Sequence, residues 1–121
     1  MNKIILTGRI SNELELKRTN NNKEVITFNL AVNRDKENTD FIRITAFEGS
    51  AKLIKEYCIK GDLIGIEGSL RVDTYVDKEG KNKNVVYVLV NKVEFLQPKK
   101  KDAFEEMAEK VANDNSYELP F

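Results

Sequence analysis

The residues best suited to chemistry lie in Asp40–Phe47, DFIRITAF. Written as a strand, this stretch alternates its side chains between two faces. Ile42, Ile44 and Ala46 form a plain apolar row, while Phe41, Arg43, Thr45 and Phe47 form the other. The second row sets two phenyl rings around a guanidinium, where a half-buried strand ordinarily carries polar groups. Exposed rings interleaved with a cation suit unpaired nucleic-acid bases. Every base offers a π-face for stacking, and every nucleotide a phosphate for the arginine. The competing reading of the same strand buries both faces and places the rings in a core.

Other chemistries find little support. The chain has 121 residues and no histidine, which removes the commonest general base, the Ser-His and Cys-His nucleophile pairs and the usual zinc ligands. No paired carboxylates, phosphate-binding loop or nucleotide fingerprint occurs, so the expectation is no enzyme, no catalytic residue, no metal and no cofactor. A carboxylate-dependent nuclease would need clustered acids that the sequence lacks. The single Cys58 falls on an apolar stripe, reads as a buried core thiol, and fits a reducing cytoplasm. No secretory leader or membrane-spanning run is expected. The formal net charge is zero, but it is unevenly spread. Residues 1–101 hold 19 Lys and Arg against 14 Asp and Glu, a body of +5; residues 102–121 hold one Lys against six acids, a tail of −5. A basic body suits a polyanion, and an acidic tail suits a separate role.

Four further strands and a helix must position the Phe-Arg-Phe face. Lys3 to Ile10 reads as a strand with Ile4, Leu6 and Ile10 on one face and Lys3, Ile5, Thr7 and Arg9 on the other; Gly8 marks a bend or barrel corner. Glu13 to Arg18 alternates again as its continuation, and Thr19–Asn22 is a turn. Glu24 to Arg34 is the second strand, with Ile26, Phe28, Leu30 and Val32 inward and small or polar residues outward, leaving room for a ligand. After the Phe-Arg-Phe strand, Ser50 to Ile59 reads as a helix capped by Ser50 and closed by Gly61. Leu63 to Tyr75 is a long strand with Ile64, Ile66, Leu70 and Val72 on one face. Arg71 and Tyr75 share the other, a third aromatic among polar neighbours. Asp77–Gly80 turns a hairpin with Lys81 and Lys83 at its tip. In the last strand, Asn84 to Leu96, Val86, Val88 and Val90 alternate with Val85, Tyr87 and Leu89, so both faces are apolar; a subunit interface or a doubly covered barrel strand would read alike.

Three strands, a helix and two strands, without repeats, predict an all-β, five-stranded Greek-key barrel, the OB-fold, with its short helix between strands 3 and 4. Such barrels commonly bind oligonucleotides on strands 2 and 3. The barrel domain is expected over residues 1–97. The remainder, 98–121, is expected to hold a short helix at 102–112 and an exposed end, Tyr117-Glu118-Leu119-Pro120-Phe121. Pro120 biases Leu119 to an extended form, presenting the Phe121 ring and terminal carboxylate together.

Several stretches in order resemble the bacterial and phage single-stranded DNA-binding proteins. NKIILTGRI at the start is similar to that family's first strand, and ITFNLAVNR at 26–34 to its second. TDFIRI at 39–44, EYCIKGDLIGIEGSLR at 56–71, YVDKEGK at 75–81 and the terminal ELPF follow its pattern. The resemblance implies binding and protection of single-stranded DNA without sequence specificity in replication, recombination and repair. It places Phe41, Phe47 and Tyr75 on the stacking aromatics and Arg43 and Arg71 on phosphate-contacting positions. Lys3, Arg9, Arg34, Lys81 and Lys83 are the further phosphate candidates. It also implies recruitment of replication and repair proteins through Glu118, Leu119, Pro120 and Phe121. The assembly implied is a homo-oligomer, a tetramer ahead of a dimer, in the bacterial cytoplasm, and the short tail is similar to phage-encoded members.

The chain departs from the pattern in places. Asp35-Lys36 stands where the family usually has a fourth aromatic, and Asp73 where it often has a second basic residue. The long Gly-, Gln- and Pro-rich linker is nearly absent, and Tyr117-Glu118 replaces a cluster of Asp. These departures leave open an OB-fold adaptor that docks replication proteins, with nucleic-acid binding secondary.

Overall fold

The computed structural model describes residues 1–96; the expected helix at 102–112 and the tip at 117–121 lie outside them. Six strands and one helix follow in the order β1 (Ile4–Ile10), β2 (Leu16–Arg18), β3 (Glu24–Asn33), β4 (Thr39–Phe47), α1 (Glu48–Tyr57), β5 (Leu63–Val76) and β6 (Asn82–Phe95). The strands lie side by side as β1-β5-β6-β4-β3-β2, and a further β1–β3 pairing closes the ring. This is the OB-fold barrel of five long strands, with its helix between the Phe-Arg-Phe strand and the next. The stretch expected to continue the first strand is a separate three-residue strand. Ile10 and Leu16 both pair with β3, at Leu30 and Ile26, with irregular backbone between them. Asn12 explains the break, because its side chain leaves the strand to accept a 2.7 Å hydrogen bond from the Asn29 amide.

Alternation fills the barrel. Ile26, Phe28 and Leu30 of β3, Ile44 and Ala46 of β4, Ile64 and Ile66 of β5, and Val88, Val90, Val93 and Phe95 of β6 are buried together. Closure brings backbones close. A Cβ on Gly8 would sit 2.5 Å from the Ala31 carbonyl oxygen, and one on Gly68 would collide with that of Leu89. Only glycine admits such approaches.

Opposite Gly68 the β5–β6 ladder slips. Glu67 pairs with Lys92 but Gly68 with Val90, leaving Asn91 as the extra residue of a β-bulge. The bulge reverses the phase of β6. Val93 and Phe95 point into the core beyond the bulge, whereas before it the even-numbered Val88 and Val90 do so and Val85 and Tyr87 fall on the opposite face.

The helix corrects two expectations. It begins at Glu48 directly after β4, with extended Phe47 as its N-cap and no side-chain cap. Ser50 therefore lies within the first turn, buried with Ala51, Leu53 and Ile54, rather than capping it. The helix ends at Tyr57 with Cys58 as C-cap, and Gly61 stands three residues later, where its amide donates to the Ile10 carbonyl at 2.7 Å. The apolar pull of Ala51 and Ile54 toward the barrel end outweighs the local capping preference. Cys58 is buried, as its place on the stripe predicts.

A third correction concerns β5. Leu70 and Val72, expected on a core face, are 43% and 56% exposed. The β5–β6 hairpin runs on past the barrel from about Leu70 to its turn, so its inner side has no core beneath it. Val76 and Val86 are exposed for the same reason.

Candidate nucleic-acid interface

The β3–β4 ladder sets the two outward rows against each other. Phe47 faces Val25, Thr45 faces Thr27, Arg43 faces Asn29 and Phe41 faces Ala31. Each large side chain of β4 thus has a small or short neighbour, so nothing on β3 covers it. Phe41 is 66% exposed and Phe47 half-buried. Six strand steps separate them, about 20 Å, so they address different nucleotides of one strand. Between them the floor is closed: Thr27 and Thr45 hydroxyls lie 3.4 Å apart, and Thr45 is buried beside Leu89 of β6.

The face continues across β6 onto β5. β4 and β6 run parallel, in register at Ile44–Val88 and Thr45–Leu89. β6 then pairs with β5 so that Leu89 faces Ser69, Tyr87 faces Arg71, Val85 faces Asp73 and Lys83 faces Tyr75. Tyr75 is 52% exposed near the hairpin tip. Three neighbouring strands, β4, β6 and β5, therefore carry Phe41, Arg43, Phe47, Arg71, Tyr75 and Lys83 on one continuous outer surface, with β3 beside β4. Lys81 is exposed at the turn, where its amide donates to Asp77 Oδ1 at 2.9 Å.

The expected phosphate ligands divide. Arg43 is exposed, and among the described residues its side chain forms no ion pair. Arg34 is engaged: its Nη2 lies 2.6 Å from Asp40 Oδ1 and its Nε 3.2 Å from Oδ2. This two-point hydrogen bond, with the carboxylate charge behind it, raises the guanidinium pKa further above its ordinary value. Lys3 Nζ lies 2.6 Å from Glu67 Oε1, and this bond and charge hold the Glu67 carboxyl below its usual range. Arg9 donates to the Gly61 carbonyl at 3.0 Å. Lys3 lies beside the first half of β5, away from β4. Arg9, by contrast, pairs with Ala31, which in turn faces Phe41, so it stands one strand from Phe41 on the same outward row. Lys83 Nζ lies 3.9 Å from Asp77 Oδ2, a loose exposed pair.

The acids near the face have partners of their own. Asp35 organises the β3–β4 turn: its Oδ1 accepts from the amides of Glu37 and Asn38 and from Asn38 Nδ2. The Asn38 side chain, then these two amides, lower its pKa. Asp73 accepts a 2.9 Å hydrogen bond from the Tyr87 hydroxyl. Burial, and secondarily this bond, raise the Tyr87 phenol above its ordinary value. Tyr87 is an aromatic of the outer surface that alternation read only as half of a two-faced strand. Its signal was the hairpin register, which a turn at Asp77–Gly80 already implies.

Among the described residues no group of three or more His, Cys, Asp or Glu side chains could hold a metal ion. No described helix is long and apolar enough to cross a membrane.

An OB-fold barrel with exposed rings and cations across three adjacent strands is a nucleic-acid-binding class of surface. Comparison with known proteins agrees. The model of the Single-strand binding protein family matches residues 1–96. The chain is 39% identical over 105 residues to Single-stranded DNA-binding protein 2 of Staphylococcus aureus strain COL, covering 82% of this chain and 76% of that protein. It is 33% identical over 128 aligned positions to Single-stranded DNA-binding protein 1 of strain MSSA476, covering 97% and 82%. The chain belongs to the single-strand binding protein family, whose members are DNA-binding proteins and not enzymes.

Proposed function

We propose that the chain binds and protects single-stranded DNA without sequence specificity, in replication, recombination and repair. The observation that carries this is the β3–β4 register, which leaves Phe41 and Arg43 uncovered opposite Ala31 and Asn29. Phe41, Phe47 and Tyr75 stack bases, and Arg43 and Arg71 pair with phosphates. Lys81 and Lys83 extend the basic track along the hairpin. Stacking tolerates any base because each has a π-face, and phosphate pairing reads none.

The tail from 98 onward is a separate proposal. Glu118, Leu119, Pro120 and Phe121 recruit replication and repair proteins, the ring entering an apolar pocket and the terminal carboxylate meeting a cation at its rim. Several copies of the barrel, domain 1–97, associate as a homo-oligomer in the bacterial cytoplasm. Deleting Phe121 abolishes partner recruitment and leaves DNA affinity in place; undiminished recruitment refutes the tip.

The test of DNA binding is anisotropy of labelled oligo-dT and a matched duplex, each titrated at low and moderate salt. Tight single-strand binding that persists at moderate salt supports the stacking surface. Weak binding to both, lost together as salt rises, favours the adaptor reading. One observation leans that way: Arg34 and Lys3 are held in ion pairs, and two carboxylates, Asp40 and Asp73, stand near the face.

A further inference from the structure

On the outer surface of the β5–β6 hairpin, Tyr87 stands between the tip aromatic and the Phe-Arg-Phe strand. Tyr87 and Arg43 each lie two residues before the Thr45–Leu89 contact, on parallel strands and on the same face. Tyr75 lies toward the tip, opposite Lys83, about four residues or 14 Å further along the ribbon. The ring does not simply project from its own rung. Its hydroxyl reaches Asp73 Oδ2 at 2.9 Å, and Asp73 is the rung partner of Val85, not of Tyr87. The side chain therefore leans diagonally across the ribbon toward Tyr75, with Arg71 as its direct rung partner. It is half-buried, so it is held in place without being sealed from solvent.

The bulge at Asn91 makes this arrangement possible. Unbroken alternation from Val93 and Phe95 would carry Tyr87 into the barrel, and the extra residue turns it out. A tyrosine fixed in direction, beside a cation and on the line joining two exposed aromatic sites, has what base stacking requires. An ordered ring also loses less freedom on binding than a free one.

Resting on the single-stranded DNA reading above, we propose that Tyr87 is a further base-contacting aromatic and that Asp73 is its positioning residue. The nucleotide path then runs from Tyr75 over Tyr87 and Arg71 to Arg43 and Phe41. Asp73 holds the ring and does not serve as a phosphate site.

The chain contains no tryptophan, so Tyr87→Trp installs a unique fluorophore. Titration with oligo-dT quenches its emission, and a matched duplex at the same concentration does not. Tyr87→Leu, which keeps apolar bulk but removes the π-face, weakens oligo-dT binding about fivefold or more, the lower end of what one stacked base supplies. Tyr87→Phe retains the ring and stays within about threefold of the unsubstituted chain, as one lost neutral hydrogen bond allows. Asp73→Asn and Asp73→Ala remove the same charge, but only Asn keeps an acceptor for the hydroxyl, so the Asn variant binds more tightly than the Ala variant.

Absence of quenching while anisotropy reports binding overturns the contact, as does wild-type affinity in Tyr87→Leu. Equal affinities for the two Asp73 variants overturn the positioning role. Phe41→Ala separates the two levels of the argument. Loss of affinity there with none at Tyr87 refutes this inference and leaves the DNA reading standing, whereas an unsubstituted chain that ignores oligo-dT refutes both.

Discussion

Phe41→Ala discriminates most sharply between a stacking platform and a core. Phe41 is 66% exposed and faces only Ala31 across the ladder. Burying a whole phenylalanine side chain is worth about 1.5–3 kcal/mol, and only about a third of this one is covered, so its removal costs roughly 0.5–1 kcal/mol of stability. For a domain of this size that lowers the melting temperature by about 2–8 °C. A stacked base is worth about 1–3 kcal/mol, so oligo-dT affinity falls by about 5- to 150-fold. The ring carries no charge, so the dependence of affinity on salt keeps its slope. Phe28→Ala supplies the contrast. That ring is fully buried, and its loss costs about 3–5 kcal/mol, enough to depress folding itself. The assay pairs thermal melts with anisotropy titrations at three salt concentrations. A melt for Phe41→Ala that falls as far as that of Phe28→Ala, or oligo-dT affinity unchanged within about twofold, would refute the reasoning.

Three further outcomes are expected. Arg43→Ala lowers the magnitude of the salt slope for single-strand binding by about 0.7, the share of one phosphate contact, while Asp40→Asn raises it by freeing Arg34 from its 2.6 Å partner; unchanged slopes in both would remove these arginines from the interface. Gly8→Ala puts a methyl group against the Ala31 carbonyl where β1 meets β3, and costs about 1–3 kcal/mol in a urea titration; a neutral result would mean the ring is not closed there. The Tyr87 phenol titrates above its ordinary 10.0, chiefly through burial and then through Asp73. Because the folded value is the higher one, its contribution to stability is present below about pH 10 and is lost as pH rises through the folded value. Phenolate absorbance followed through an alkaline titration checks this, and in Asp73→Asn the shift shrinks without vanishing; an unshifted Tyr87 in the parent chain contradicts it.

Much of the barrel was legible because period-two alternation is a direct consequence of strand geometry. Ile26, Phe28 and Leu30, and Ile44 and Ala46, are buried as their spacing predicts, and the opposite rows hold Phe41 and Arg43 outside. The helix ends were not legible. Ser50 has the chemistry of a cap, yet β4 passes straight into the helix at Glu48, and packing against the barrel end decided where the first turn falls. Leu70 and Val72 carry a core pattern, but the hairpin extends past the core that would bury them. For charged residues, type alone said nothing about availability. Arg34 and Arg43 look equivalent in the sequence, but one is held by Asp40 and the other, among the described residues, forms no ion pair.

By itself, the amino-acid sequence determined the all-β class, the strand order along the chain, and which side of β4 carries rings and cation. These follow from local rules: alternation and turn residues. The tertiary structure alone decided which residues share the surface. Closure of the ring brought β5 and β6 beside β4, and one extra residue at Asn91 reversed the phase of the last strand and turned Tyr87 toward Asp73. A bulge leaves little trace in composition, because it answers to the register of the neighbouring strand and not to the residues beside it in sequence.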